Sequence, residues 1–331
     1  MPACSSRRVP RVSEPPIVRQ GRLKEKLSTK EVLGVLRESF AGLGKGLTIQ
    51  PPQMLAALPE GRGDVIAYFG VLGNAGTFGV KLSPYFTDGP RVTSWTLVMS
   101  MATGQPLLLC DSLNLTIERT AATTMLALEY LLEAQAGRLA VIGLGSIGLA
   151  HLRYATSERE WEQILLYSPS LAADPSLLRR VPKKLRRKAS VAKSAEEAVR
   201  ESDAVLLCTS SASPVIDYRW LKPGCFVSSI ATNAPNAHEI SPEALLHCEV
   251  FCDFRSTTPL VAGEMLLAAR DHEWSPDSIR ADLPELLTGR GQRPTGKAPV
   301  FFRSVGLGME DIAVATLLFA RMSNKRGGPS V

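Results

Sequence analysis

Gly143-Leu-Gly145-Ser-Ile-Gly148 follows the apolar run Leu139-Ala-Val-Ile142 and leads into Leu149-Ala-His-Leu152. Between a strand and a helix, three glycines at this spacing have separate tasks. The first permits a tight turn, the second lets backbone approach a pyrophosphate, and the third lets the helix pack on the strand. The helix would open with Ser146 and Ile147, so that its N-terminus faces the anion. A plain structural turn is the bland alternative; the strand and helix on either side point instead to a dinucleotide site.

The end of the next strand selects the dinucleotide. An acid about 20 residues beyond the first glycines would hold the ribose 2′-hydroxyl of NAD and repel a 2′-phosphate. This chain has Tyr167-Ser168-Pro-Ser170 there, with a basic segment just downstream. NADP is therefore expected, with NAD possible. Ser168 and Ser170 can donate to a 2′-phosphate, and Arg179 or Arg180 can pair with it; the alternative is that the basic segment is a solvated helix face. Further on, the apolar run from Val205 ends in Cys208-Thr209-Ser210-Ser211. That strand end reaches the nicotinamide side of such a crevice, making Thr209 and Ser210 cofactor-lining candidates.

Hydride chemistry on an amino or keto acid also needs cations that fix the carboxylate, because orientation supplies much of the rate. Two stand out. Lys81 ends the run Phe78-Gly-Val-Lys81, and Arg119 sits in Leu115-Thr-Ile-Glu-Arg119-Thr-Ala-Ala122. Taken singly, each would be an ordinary surface charge.

The elements that must position these residues fall into two groups. Ser28-Thr-Lys-Glu31 has capping-box spacing and opens an apolar period from Val32 to Phe40, predicting a helix. Residues 64–110 carry four β-prone runs punctuated by Gly and Pro. A helix is predicted from about Thr116 to Ala136, after which strands and helices alternate to Asp253. Alternation of that kind implies a parallel sheet covered by helices on both faces. Gly308 to Arg321 reads as a closing amphipathic helix.

At 331 residues the chain has room for about two domains and needs no disulfide staples. Its composition, 45% hydrophobic and 21% charged, excludes general disorder and collagen-like structure. The net charge of +6 first suggests an anionic partner, but it is unevenly placed. Residues 1–26 carry +5 and residues 179–193 carry +8, leaving −7 for the rest. Neither basic stretch has interleaved aromatics, so no nucleic-acid partner is expected. Six scattered cysteines read as reduced thiols of a cytoplasmic protein. Cys248, Cys252 and His247 lack a second ligand pair at zinc spacing, so no metal is expected. No apolar run is long enough for a membrane helix, and the Pro-rich start lacks the apolar stretch of a secretory signal.

The order of motifs resembles the ornithine cyclodeaminase and mu-crystallin family. The matching stretches are Gly79-Val-Lys81, Thr103-Gly-Gln-Pro106, Leu115 to Ala122, the glycine turn, Thr209 to Pro214, Asn233-Ala-Pro235 with Glu239, and Gly306-Leu-Gly-Met-Glu-Asp311. Arg119-Thr-Ala-Ala122 ahead of the glycine turn is the most specific of them. The resemblance implies an α/β fold: a Rossmann doubly wound parallel sheet inserted into a smaller α+β domain for substrate binding and dimerisation. The expected division is a flexible basic tail over 1–27, the substrate and dimerisation domain over 28–118 and 307–331, and the dinucleotide domain over 119–306. It further implies a homodimer, Lys81 and Arg119 on the substrate carboxylate, and Thr120 on the cofactor phosphates.

Departures from the family pattern narrow the activity. Asn233 stands where the cyclodeaminases have an Asp that handles the substrate amine, and Asn cannot act as that base. An upstream carboxylate-binding Arg is replaced by Gln53. Glu60 comes too early for the cyclodeaminase general base. These losses favour an NAD(P)-dependent oxidoreductase acting on the C–N bond of an imino or amino acid, with Asn233 lining the substrate. Asp311 is the acidic candidate, either in contact with substrate or cofactor or capping the last helix. The alternatives are an ammonia-releasing cyclodeaminase that uses NAD without net redox, and a cofactor-binding protein without turnover.

Overall fold

The structure is a computed structural model that describes residues 15–19, 27–88, 92–232 and 236–325. Helix α1 (Thr29–Gly44) starts at the predicted capping box: Ser28 Oγ accepts from Glu31 N, and Glu31 reaches back to Ser28 N. Its buried stripe is Val32, Leu33, Leu36 and Phe40.

The first sheet holds β1 (Ile17–Val18), β2 (Thr48–Ile49), β3 (Met54–Ala57), β4 (Gly63–Leu72), β5 (Thr77–Phe86), β6 (Trp95–Ser100) and β7 (Pro106–Asp111). They run in the order β1-β7-β6-β5-β4-β2, with β3 also paired to β4. Pairing is antiparallel except between β1 and β7. Register sorts the side chains into rows that cross the sheet. Val18, Cys110, Thr96, Lys81 and Tyr68 form one buried row. Ile17, Leu109, Leu97, Val80 and Phe69 form the next, on the opposite face. A slip of one residue in β5 would move Lys81 out of the protein.

The expected flexible tail over residues 1–27 needs correction at its described part. Ile17 and Val18 pair with Leu109 and Cys110 and bury Val18, because the edge of β7 offers backbone groups that need partners. Residues 1–14 and 20–26 lie outside the described residues.

Helix α2 (Leu113–Leu131) starts and ends earlier than predicted and runs unbroken through the expected domain boundary at 118/119. Beyond it come β8 (Arg138–Ile142), α3 (Ser146–Glu158), β9 (Gln163–Tyr167), α4 (Pro169–Ala173), α5 (Lys183–Arg186), β10 (Ala189–Val191), α6 (Ala195–Arg200) and β11 (Ala204–Leu207). Then follow β12 (Phe226–Ser229), β13 (Glu249–Cys252), α7 (Gly263–Asp271), β14 (Ala281–Asp282), α8 (Leu283–Leu287) and β15 (Val300–Arg303). The eight strands are all parallel, in the order β10-β9-β8-β11-β12-β15-β13-β14. Alternate residues feed two cores: Leu139, Val141 and Leu206 enter one, and Ala140, Ile142 and Val205 the other. Both faces are therefore covered, as a doubly wound sheet requires.

Strand order reverses at β8, which lies between β9 and β11, and ligands of open α/β sheets bind at the carboxyl ends of such strands. Helix α9 (Gly308–Lys325) then returns to the first sheet. Two glycines let it touch β4: a Cβ on Gly70 would stand 2.6 Å from Met309 Cα, and one on Gly308 2.3 Å from Phe69 O. This crossing places the start of α9 against Lys81 and Arg119.

Candidate active site

Four ionisable side chains meet where β5, α2 and α9 converge. Asp311 bridges the two cations: Oδ2 lies 2.8 Å from Lys81 Nζ, and Oδ1 accepts from Arg119 Nε at 3.1 Å. Glu310 Oε2 accepts from Arg119 Nη1 at 3.3 Å and from Thr123 Oγ1 at 3.0 Å, while its Oε1 accepts from Leu307 N at 3.2 Å. All four side chains are buried. Asp311 tethers the two cations, and Glu310 accepts from the backbone at the helix entry.

Burial in this setting costs the charged forms. It pushes Lys81 down to about 8, with Asp311 opposing the shift and Arg119 adding to it. Burial likewise pushes Glu310 up to about 8 against the pull of Arg119. Burial also works against the Arg119 charge, but Asp311 and Glu310 outweigh it and raise that pKa. Tyr68 lays its ring 4.2 Å from Lys81 Nζ and is itself pushed up to about 12 by burial.

The wall beside Arg119 is made of backbone. Asp253 Oδ2 accepts from Val305 N at 2.8 Å and Gly306 N at 3.1 Å, fixing a loop in which Gly306 has φ of +81°. A Cβ on Gly306 would lie 2.2 Å from Arg119 Nη1, so only glycine lets the guanidinium occupy its place. Tyr68 and Gly306, neighbours of the two cations, line a pocket with Gln50, Gln53, Thr257, Leu260 and Leu307. None of the described residues lining that pocket is a carboxylate. Gln53 therefore stands at the pocket, while Glu60 is exposed on a turn.

The glycine turn forms the second part of the site. Gly143 has φ of +95°, and a Cβ there would lie 2.6 Å from Cys208 O; one on Gly148 would lie 1.9 Å from Gly143 O. A Cβ on Gly145 would meet nothing within 4 Å. Two glycines are thus required by the turn itself, whereas Gly145 leaves open space before the first turn of α3, where Ser146 is exposed and Ile147 half-buried. An open cradle at a helix N-terminus fits the pyrophosphate of a dinucleotide.

The other expected cofactor residues divide. Ser168 Oγ accepts from Leu171 N at 3.1 Å and lies 3.2 Å from Ser170 Oγ, at the end of β9. Thr209 donates from N and Oγ1 to Glu239 Oε1 at 2.7 and 2.8 Å. Glu239 Oε2 accepts from Ser229 Oγ, Ile230 N and Ala231 N, so this one carboxylate ties together the ends of β11 and β12. Thr209 shapes the crevice through that bond, and Ser210 beside it is exposed. Thr120 is buried and donates to Thr116 O at 2.7 Å. Asn233 lies outside the described residues. Among the described residues, no group of three His, Cys, Asp or Glu is placed to hold a metal, and no helix is long and apolar enough to cross a membrane.

Sequence reasoning missed Glu310, Gly306 and the support from Asp253. Glu310 beside Asp311 looks like the acidic pair that favours any helix start. The missing signal is three-dimensional: Arg119 needs a second counter-ion only because α2 buries it.

Comparison with known proteins agrees with this architecture. The profile of the ornithine cyclodeaminase/mu-crystallin family matches residues 14–326. The NAD(P)H-dependent anabolic L-arginine dehydrogenase DauB of Pseudomonas aeruginosa is 50% identical over 307 residues, covering 92% of this chain and 96% of that protein. The Thermococcus litoralis Delta(1)-pyrroline-2-carboxylate reductase, solved with NADH and L-proline, superposes with a TM-score of 0.86 at 23% identity, over 95% of this chain and 99% of that one. An archaeal alanine dehydrogenase dimer with bound NAD gives a TM-score of 0.85 at 23% identity, over 96% and 98% of the two chains.

Proposed function

The chain belongs to the ornithine cyclodeaminase/mu-crystallin family, and from its site we propose that Lys81 and Arg119 clamp the carboxylate of a basic 2-amino acid or its imine, with L-arginine the substrate of first choice. The chain is an NAD(P)-dependent oxidoreductase acting on the C–N bond of an imino or amino acid. What carries the assignment of roles is the bridge of Asp311 between Lys81 and Arg119. One carboxylate holds two cations at a fixed separation, so they meet an incoming carboxylate already oriented.

NAD(P)H, when bound, supplies the hydride that reduces the imine carbon. The chain binds and orients the acceptor. Lys81 and Arg119 hold the carboxylate, and the Gly306 wall sets the depth at which Arg119 sits. Tyr68 shields Lys81 from water, which strengthens its attraction for an anion. The protonated imine arrives carrying its own proton, so addition of hydride to carbon completes the amine. The pocket beyond, polar at Gln53 and Thr257 and apolar at Leu260, suits a long side chain with a polar end. Among the described residues it has no carboxylate to act as the base of a cyclising deamination, which disfavours the ammonia-lyase alternative. The 50% identity to an L-arginine dehydrogenase directs the choice of substrate.

The uncovered apolar row of Ile17, Leu109, Leu97, Val80 and Phe69 supports a homodimer built on the outer face of the first sheet. The described cysteines are all free, which suits a reaction in the cytoplasm. Nicotinamide absorbance tests the activity. L-Arginine with oxidised cofactor, and 2-oxo-5-guanidinovalerate with ammonia and reduced cofactor, should turn over with kcat/KM at least about tenfold above that for ornithine, proline or their imines. Release of ammonia from ornithine without net change in cofactor would refute the assignment.

A further inference from the structure

Two side chains in the pocket beside Lys81 and Arg119 have hydrogen-bonding groups that no described residue uses. Thr257 stands at the N-cap of the 3-10 turn Thr258–Leu260, where a threonine hydroxyl ordinarily accepts from the first turn, yet it makes no such bond. Its Oγ1 is buried and has no partner among the described residues. Gln53 is half-buried and makes no hydrogen bond with any described residue. Gln50, by contrast, is occupied: Oε1 accepts from Met309 N at 3.0 Å, and Nε2 donates to Pro51 O at 2.5 Å. Asp253, which fixes the Val305–Gly306 wall, is occupied as well, accepting from Phe254 N, Thr258 Oγ1, Ser304 Oγ, Val305 N and Gly306 N. The pocket holds about 150 Å³, about five water volumes at ~30 Å³ each, and no described residue that lines it carries a charge.

We propose that this pocket, through Thr257 and Gln53, reads the shape and hydrogen-bonding pattern of the substrate's end group and not its charge, so that the enzyme oxidises 2-amino acids ending in a neutral ureido group as well as those ending in a guanidinium. The inference rests on the assignment of Lys81 and Arg119 to the carboxylate of a 2-amino acid with a long polar side chain. Buried polar groups are paired almost without exception, so a hydroxyl left over in a substrate pocket is available to a ligand. Hydroxyl and primary amide both donate and accept. They can therefore meet a guanidinium, which only donates, or a ureido group, which donates through nitrogen and accepts through oxygen. No described carboxylate lines the pocket to tell the two apart by charge. An ammonium end is a compact, strongly hydrated charge, and an uncharged pocket returns little for its desolvation. In the oxidative direction the amino group releases one proton to solvent, and the C–H bond at carbon 2 breaks as its electron pair leaves with hydride for the oxidised nicotinamide. The nitrogen lone pair forms the C=N bond; water then adds to the carbon and ammonium leaves, giving the 2-oxo-5-ureido acid.

Nicotinamide absorbance with oxidised cofactor and L-arginine, L-citrulline, L-lysine, L-ornithine or L-norleucine tests the inference in the full-length protein. Calorimetric titration of the same amino acids in the presence of reduced cofactor reads their binding without turnover. Citrulline should give kcat/KM within about tenfold of arginine, with lysine, ornithine and norleucine at least about tenfold below both. Thr257→Val removes the hydroxyl at nearly constant shape. It should lower kcat/KM about tenfold for arginine and citrulline alike, chiefly through KM, while the melting temperature holds because the hydroxyl has no described protein partner to lose. Gln53→Glu supplies a carboxylate and should shift the ratio of arginine to citrulline at least about tenfold towards arginine. Arginine favoured over citrulline by more than about tenfold in the wild type overturns the inference, as does lysine or ornithine matching citrulline. A ratio unmoved by Gln53→Glu, or Thr257→Val without effect on either substrate, overturns it too. In each of these cases turnover of arginine leaves the underlying substrate assignment standing, whereas turnover of none of the five overturns that assignment itself.

Discussion

The proposed substrate side and the proposed cofactor side of this molecule are built in opposite ways. On the substrate side, Lys81, Arg119, Asp311 and Glu310 are buried and paired with one another before any ligand arrives. On the proposed cofactor side, the structure offers open backbone at Gly145 and the exposed Ser146 at the start of α3. The buried cluster gains strength from exclusion of water, at the cost that loss of one member strands another. The open cradle gains less per contact, but its parts can be changed singly without disturbing the fold. A site that must orient one carbon for hydride transfer needs the first design, and a site that grips a large cofactor through many contacts can use the second.

The contrast breaks most directly at Lys81. Lys81→Met should lower kcat/KM by about 1,000-fold or more and destabilise the protein by about 3 kcal/mol, since Asp311 keeps only Arg119. Steady-state kinetics with denaturant unfolding would record both losses together. A variant that lost activity at full stability would show that the cluster is not a structural unit.

Two different roles within one glycine motif sharpen the contrast next. Gly145→Ala adds a methyl to open space, so the fold should keep its stability while NADPH affinity falls about 10- to 100-fold. Gly148→Ala drives a Cβ to 1.9 Å from Gly143 O and should cost about 1–3 kcal/mol of stability even without cofactor. Calorimetry and thermal melts on the two variants separate the roles. Equal destabilisation by both would mean that the cradle at Gly145 is already filled by the protein.

Legibility in the sequence follows the same division. The cofactor side is local: one strand, one turn and one helix carry Gly143 to Gly148, so spacing along the chain suffices. Lys81 and Arg119 were identifiable as cations, but they lie on different elements, and what holds them comes from α9, about 190 residues beyond Arg119. Nothing in Gly-Met-Glu310-Asp311 distinguishes a cation tether from an acidic helix start. Strand β15 was missed for a related reason: four residues behind the Gly- and Pro-containing stretch 289–299 have no period, and only pairing with β12 and β13 makes them a central strand. The basic segment, expected as a helix, is broken into a 3-10 turn over Pro175–Arg180 and the single turn of α5, interrupted at Pro182.

The smallest expected effect is also the one that tests whether the buried cluster titrates as a unit. Lys81 must be protonated to attract a carboxylate, and burial has brought its pKa down to about 8. Binding of substrate should therefore be constant below that pH and weaken above it. Because the shift is downward, the affected window runs upward from about 8 towards the ordinary lysine range, and titration of Lys81 alone would lower kcat/KM by about tenfold per pH unit. Arg119 keeps its charge throughout, so affinity declines without vanishing. Asp311 opposes the downward shift of Lys81, so Asp311→Asn should move the break to lower pH. Glu310, raised to about 8 beside the same guanidinium, loses its proton in the same range and adds a negative charge as Lys81 loses its positive one, steepening the decline. Glu310→Gln should restore a single-proton slope and move the break slightly lower, because the Glu310 charge helps to raise the Lys81 pKa. An unchanged break in Asp311→Asn would mean that Lys81 is held by something other than the bridge, and the contrast between a coupled substrate side and an independent cofactor side would fail at its centre.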